Sequence, residues 1–220
     1  MKAIIFSVVL IVSLNVHAQM WERGKKNFFL EPEASLNFAN YKKSAYMGNK
    51  YGMSFGLSGG KIFKGFLKTG LVYRYNQNTI GNWYSTALTH TPVQRQYAGI
   101  KAELMVPFLQ LNLGKSNRYE CKTLSIYLML GPEFGYNFAG GTSDFKINST
   151  ELLLCASWGF LLKNSGSNKK QAANDIYFCL NMKHGQTPFA QRAADSQKFY
   201  STYWGVSILW VKYKTGNWLR

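Results

Sequence analysis

The sequence predicts an all-β protein, an eight-stranded antiparallel up-and-down transmembrane β-barrel, and three observations carry that expectation. Apolar and polar residues alternate with a period of two over runs far longer than the five or six residues of an ordinary strand. Along each run one face is almost continuously apolar, while the other mixes Gly, Ser, Asn and charges of both signs. Eight such runs can be marked off, an even number, and a membrane-crossing strand needs only about 9–11 residues. The 220 residues suit one domain, and 16 % aromatic residues with only 5 Pro favour strands over disorder. A mean hydropathy of −0.19, with no long apolar run past the N-terminus, excludes a helical membrane protein. It does not exclude a barrel, where alternate residues face lipid.

Residues 1–18 read as an export signal: Lys2 is the charged start, Ile4 to Leu14 the apolar stretch, and Val16-His17-Ala18 a small-residue cleavage site. Removing Lys2, one charge from the +16 of the whole chain, leaves +15. A short segment, 19–27, would then lead into a barrel over 28–214, with a tail at 215–220.

The first strand, Phe28 to Tyr41, sets Leu30, Ala34, Leu36 and Phe38 against Glu31, Glu33, Ser35 and Asn37. In the second, Met53, Phe55 and Leu57 oppose Gly52, Ser54, Gly56 and Ser58, and Lys64-Gly65-Phe66 is a tight turn. The third, Leu67 to Asn76, puts Leu71, Tyr73 and Tyr75 outward and Lys68, Gly70, Val72 and Arg74 inward. Two long strands follow. Tyr97 to Leu113 points Ala98, Ile100, Ala102, Leu104, Val106 and Phe108 one way, and Lys101, Glu103 and Met105 the other. Leu124 to Phe138 alternates apolar residues with Ser125, Tyr127, Met129, Glu133 and Asn137. The sixth strand, Glu151 to Lys163, has Leu153, Cys155 and Ser157 inward, and the seventh, Asp175 to His184, has Tyr177, Cys179, Asn181 and Lys183 inward. The last, Tyr200 to Tyr213, shows Trp204, Val206, Ile208 and Trp210 outward. Connections 42–50, 77–95, 140–148 and 185–199 fall at one end, expected outside, and 64–66, 114–123 and 164–174 at the other, expected periplasmic.

The run YAGIKAELMVPFLQLNLG followed by LSIYLMLGPEFGYNFAG resembles the central hairpin of small PorT-like outer-membrane barrels, similar in architecture to OmpA and OmpX. The resemblance implies an envelope role such as tethering, adhesion or secretion support. It covers this hairpin by wording, and the chain departs from the pattern by ending in Trp218-Leu219-Arg220.

Candidate chemistry is sparse. His90 and His184 are far apart in sequence, and no phosphate loop, metal-spaced cluster or nucleic-acid motif is present, so no cofactor, metal or nucleic-acid partner is expected. His184 stands where PagL-like lipid A deacylases carry their catalytic His, but Gln186 replaces the serine of that family's His-x-Ser arrangement. Without a nucleophile beside its base, an envelope lipid esterase is the alternative function and a non-enzymatic structural or interaction barrel the main one. A soluble lipocalin-like barrel would have to enclose the bulky apolar face, which overfills eight strands.

Inward parity collects Glu31, Glu33, Glu103 and Glu133 with Arg74, Lys101 and Lys183, which points to ion pairs filling the lumen, since buried charge is tolerated only when paired. A proton or ion path is the other reading of the same residues. Cys155 and Cys179 share that face on neighbouring strands, which leaves two readings, a disulfide or two separate buried thiols, with Cys121 at a turn. Fifteen cations gather at the short-turn end, Lys64, Lys68, Lys115, Lys122, Lys169 and Lys170 among them, against Glu22 and Glu120; Arg95 counts with the outer loops. The expected partners are outer-membrane lipid and, for Lys64, Lys115, Lys122, Lys169 and Lys170, anionic headgroups or an acidic periplasmic protein.

Overall fold

A computed structural model describes residues 27–41, 51–81, 90–117, 120–140, 145–166, 174–194 and 196–212. The export signal, the tail at 215–220, Lys169 and Lys170 lie outside the described residues, as do the side chains of His90, Lys115, Cys121 and Lys122. The strands are β1 Asn27–Tyr41, β2 Tyr51–Phe63, β3 Leu67–Gly81, β4 His90–Asn117, β5 Glu120–Gly140, β6 Phe145–Ile147, β7 Thr150–Gly166, β8 Asn174–Gly185, β9 Ala190–Arg192 and β10 Lys198–Lys212. Eight of them form the wall, in the order β1-β2-β3-β4-β5-β7-β8-β10, every pair antiparallel, and β1 pairs with β10 to close it. Closure removes the unpaired edges that an open sheet would expose. The short β6 and β9 pair with each other beyond the wall, and β9 also pairs with β10.

Following the register from Phe28 through Lys61, Thr69 and Ala102, then across to Pro132 (which continues the spacing of the Lys101–Glu133 and Leu104–Leu130 pairs), Leu154, His184 and Thr202 returns to β1 at Phe38, ten residues further on. An eight-stranded wall with such stagger is just wide enough for its own side chains to fill. Within the closed wall the alternation expected from sequence holds on all eight strands: Leu36, Phe55, Leu71, Ile100, Phe134, Leu154, Phe178 and Trp204 are exposed outward, while Ser35, Ser54, Arg74, Lys101, Glu133, Cys155, Cys179 and Tyr203 are buried inward. It does not carry on over 108–111, all exposed, or 124–128, all half-buried.

Several boundaries differ from the sequence-based expectation, among them the connection 140–148, which contains β6, and 164–174, which β7 and β8 enter from either side. The loop placed at 77–95 is shorter, because β3 and β4 go on pairing as far as Gly81 opposite His90. The turn placed at 114–123 shrinks in the same way, with Asn117 opposite Glu120. The region 185–199 contains β9 and the start of β10. Ladder hydrogen bonds continue wherever the partner strand continues, and polarity alone does not mark that limit.

β3 starts at Leu67 opposite Leu104, yet β4 continues to Asn117, paired there with β5, and β5 pairs with β7 as far as Glu120 opposite Gly166. A three-stranded extension therefore leaves the wall at the short-turn end. A register shift between Pro107 and Leu109 marks a bulge at its root, and Phe108 and Leu109 are both exposed. Pro107 lacks a ladder donor, which suits an interrupted ladder. At the β2–β3 turn Lys64 and Gly65 both have positive φ (46° and 74°), the left-handed region that glycine enters without strain.

Candidate functional site: the charged interior

The interior is layered. At the short-turn end lies an apolar layer including Phe29, Ile62, Met105, Met129, Leu161 and Leu209. At the opposite end a second apolar cluster, with Val93, Phe145, Phe189 and Phe199, brings β6 and β9 over the mouth. Between them stand three tiers of charge.

The lowest tier joins Glu31, Lys68, Lys101 and Glu103. Glu31 Oε2 accepts from Lys68 Nζ at 2.8 Å, from Lys101 Nζ at 2.5 Å and from Ser58 Oγ at 3.2 Å, and Oε1 accepts from Ser207 Oγ at 2.7 Å. Glu103 lies 2.6 Å from Lys68 Nζ and 3.6 Å from Lys101 Nζ. Each lysine thus sees both carboxylates. Lys68 and Lys101 also sit 5.2 and 5.5 Å from the Phe29 ring centroid.

In the middle tier Lys183 Nζ donates to Glu33 Oε2 at 2.6 Å and to Glu133 Oε2 at 3.2 Å. Arg74 Nη2 donates to Glu133 Oε2 at 3.0 Å, and its guanidinium carbon lies 5.3 and 5.2 Å from the ring centroids of Tyr97 and Tyr203. Gly99 and Gly135 face each other across β4 and β5 and make this possible. A Cβ on Gly135 would come within 2.5 Å of the Tyr97 ring, so only glycine lets that ring lie against the wall.

The upper tier was missed by sequence reasoning. Arg95 donates to both Glu151 oxygens and to Tyr203 Oη, and its Nη1 donates to Asn137 Oδ1 at 3.2 Å. Ser201 Oγ donates to Glu151 as well, and Phe189 covers the guanidinium at 4.3 Å. The signal was present: Arg95 has the parity of Tyr97 and Lys101, and Glu151 that of Leu153 and Cys155. Arg95 fell in the expected loop 77–95, short of the true start of β4, and Glu151 opens the expected sixth strand without being grouped with the inward charges. Arg95 is therefore a lumen residue and not an outer-loop cation.

All seven residues grouped by parity, Glu31, Glu33, Arg74, Lys101, Glu103, Glu133 and Lys183, meet in the two lower tiers. With the upper tier and Lys68, five carboxylates (Glu31, Glu33, Glu103, Glu133, Glu151) stand against five cations (Lys68, Arg74, Arg95, Lys101, Lys183). The three tiers are formally neutral. Lys68 thereby leaves the set of rim cations, because it is buried inside the wall.

The Cys155–Cys179 disulfide is corrected. Cys155 pairs in register with Lys183, and Cys179 with Gly159, an offset of four residues along β7 and β8. At about 3.3 Å per residue that separation is beyond the Cα distance of about 5.5 Å a bridge requires. Both thiols are free and buried. Lys64 is exposed in the β2–β3 turn; Lys115 lies on β4 and Lys122 on β5, both in the extension.

His184 is exposed on the outer face, with Nδ1 3.0 Å from Thr202 Oγ1, its register partner on β10. Gln186 is exposed, and its Nε2 reaches the His184 carbonyl at 3.5 Å, so the family's serine position holds an amide without a nucleophilic oxygen. Among the described residues no group of three or more His, Cys, Asp or Glu is arranged to hold a metal ion.

No protein-family model matches the sequence, and no curated protein matches it. Among solved structures the chain is similar to the Neisserial surface protein A, at 14 % identity over 84 % of this chain and 97 % of that one, with a TM-score of 0.40. It is also similar to Ail, the attachment invasion locus protein of Yersinia pestis, in complex with the heparin analogue sucrose octasulfate, at 9 % identity over 85 % and 99 % of the two chains, TM-score 0.33. A further match is the backbone structure of Ail in a phospholipid bilayer nanodisc, at 15 % identity over 81 % and 98 %, TM-score 0.29.

Proposed function

We propose that this protein is a bacterial outer-membrane β-barrel with a non-enzymatic structural or interaction role in the cell envelope, its lumen filled by paired charges. One observation carries the reading: the polarity of the wall is inverted relative to a soluble protein. Leu71, Leu162, Ile176 and Ile100, on four different strands, are 71, 62, 61 and 59 % exposed, whereas Arg74, Glu133 and Glu151 are 0 % and Arg95 is 1 % exposed. Water would reverse that arrangement, and hydrocarbon favours it. The N-terminal export signal and the PorT-like wording of the β4–β5 hairpin are part of the same proposal.

The three charge tiers, closed at each end by an apolar cluster, support a structural and non-conducting interior. At the short-turn end, Lys64, Lys115, Lys122, Lys169 and Lys170 would meet anionic headgroups or an acidic periplasmic partner, at about 1 kcal/mol per cation near a charged surface.

Fractionation of cells expressing the whole chain tests the location. The protein is expected in the outer-membrane fraction, migrating differently when folded and when boiled, and recovery in the soluble fraction would overturn the reading. Leu130→Arg, on the outer face of β5, is expected to cost about 2–4 kcal/mol of stability in vesicles.

A further inference from the structure

A groove of about 580 Å³ crosses the outer face of β2, β3, β4 and β5. That is within the roughly 300–1,000 Å³ range of clefts that hold small ligands. Its floor lies at Gly59, Thr69 and Ala102, outward positions with little side chain: Thr69 and Ala102 share a row with Lys61, and Gly59 shares the next with Leu71 and Ile100. Leu71, Ile100 and Phe134 give it apolar walls.

At the short-turn end the groove meets charge. Lys61 is exposed on the outer face, 5.6 Å from the Phe28 ring centroid, and Lys64 is exposed in the adjoining turn. Phe28 is also the register partner of Lys212, another exposed residue on the outer face, so basic residues from β2 and β10 flank one aromatic ring. Long cationic side chains with an aromatic ring at the edge of an apolar belt mark the headgroup level of a bilayer.

We propose that the groove binds one anionic phospholipid, with an acyl chain between Leu71, Ile100 and Phe134 and the phosphate at Lys61. The inference rests on the membrane-spanning reading given above. Two features favour this occupant. Beneath the groove β2 pairs with β3 and β3 with β4 residue for residue, and β4 pairs with β5 on either side of Ala102 and Pro132, so each strand there has a neighbour on both sides and no sheet edge is open to an added peptide strand. The described Asp and Glu side chains (Glu31, Glu33, Glu103, Glu133, Glu151 and Asp175) all belong to the inward face, so the described outer wall of a second copy offers no carboxylate to Lys61. An amphiphile with an anionic head and an apolar tail matches both the charge and the groove.

The test is native mass spectrometry of the folded full chain released from detergent micelles, with phosphatidylglycerol or phosphatidylcholine added. The parent is expected to retain one phosphatidylglycerol in preference to phosphatidylcholine. Lys61→Gln should weaken phosphatidylglycerol binding about five-fold, and Lys61→Arg should restore it. Gly59→Phe should abolish the adduct by filling the floor. A Cβ at Gly59 meets its nearest atoms, Phe29 O and Leu30 Cδ1, at 3.5 and 3.6 Å, ordinary contacts, so this variant is expected to fold and to migrate like the parent. Equal retention of the two lipids by the parent, or an unchanged adduct on Gly59→Phe, would overturn the site while leaving the membrane reading intact. A parent dimer dissolved by Gly59→Phe would overturn it in favour of a second copy. A parent that folds in water and stays out of vesicles would overturn the membrane reading and the site together.

Discussion

The lowest and uppermost charge tiers solve the same problem in opposite ways. In the lowest, two lysines share two carboxylates, and Glu31 alone accepts from Lys68, Lys101, Ser58 and Ser207. In the uppermost, one arginine spends its fork on one carboxylate, and the remaining contacts are neutral groups from Tyr203, Asn137 and Ser201. Ammonium groups are point charges that several acceptors can share, whereas a guanidinium is planar and matches one carboxylate edge. The lower tier is therefore redundant and the upper tier is not. Loss of one carboxylate should be absorbed below and not above.

The largest expected effect follows directly. Glu151→Gln keeps the shape of the side chain but leaves Arg95 buried without its carboxylate. Breaking one partner of a buried pair costs about 3–5 kcal/mol. Equilibrium unfolding in lipid vesicles, followed by the fluorescence of outward residues such as Trp158 and Trp204, measures it. Glu103→Gln in the lower tier should cost less, about 2 kcal/mol, because Lys68 and Lys101 both keep Glu31. Equal losses for the two variants would remove the distinction between shared and exclusive pairing.

The same contrast governs how much of the interior was legible in the sequence. Glu31, Lys101, Glu103 and Glu133 lie within strands whose alternation is unbroken, so parity alone places them inside. Arg95 and Glu151 lie where the alternation meets polar, loop-like sequence. A strand end there is decided by how far its neighbour goes on pairing, which is a tertiary fact. The cysteines failed for a related reason. Parity puts Cys155 and Cys179 on the same face, but only register gives the height of each along the barrel, and theirs differ by four residues. The bulge at Phe108 also lies beyond parity, although Pro107 marks the place where a ladder donor is missing.

Tyr203→Phe isolates one neutral contact of the upper tier. It removes the hydroxyl that accepts from Arg95 and keeps the ring against Arg74. Losing one hydrogen bond to a charged group should cost about 1.5 kcal/mol. In a Glu151→Gln background the same change should cost a different amount, since the Arg95 fork is then no longer fixed by its carboxylate, and a double-mutant cycle reads that coupling. Strict additivity would mean that the hydroxyl and the carboxylate hold Arg95 independently.

The smallest expected net effect comes from removing the upper pair altogether. Arg95→Met combined with Glu151→Leu deletes both charges and replaces them with apolar side chains of comparable length. The pair lies beneath Phe189 and Val93, so apolar contacts are already at hand on the loop side. Ser201, Tyr203 and Asn137 lose a partner, which works against the exchange, but Asn137 keeps the Asn148 carbonyl at 3.0 Å. A buried ion pair replaced by well-packed apolar residues is often neutral in stability, because the desolvation of two charges is relieved along with their attraction. The double variant should therefore unfold within about 1 kcal/mol of the parent, although Glu151→Gln alone loses several times that. The corresponding replacement in the lower tier has no such simple form, since removing Glu103 with either lysine leaves Glu31 and the other lysine to re-pair. If the upper double variant were as unstable as Glu151→Gln, the pair would contribute attraction well beyond its desolvation cost, and the exclusive Arg95–Glu151 contact would be the more strongly stabilising arrangement of the two.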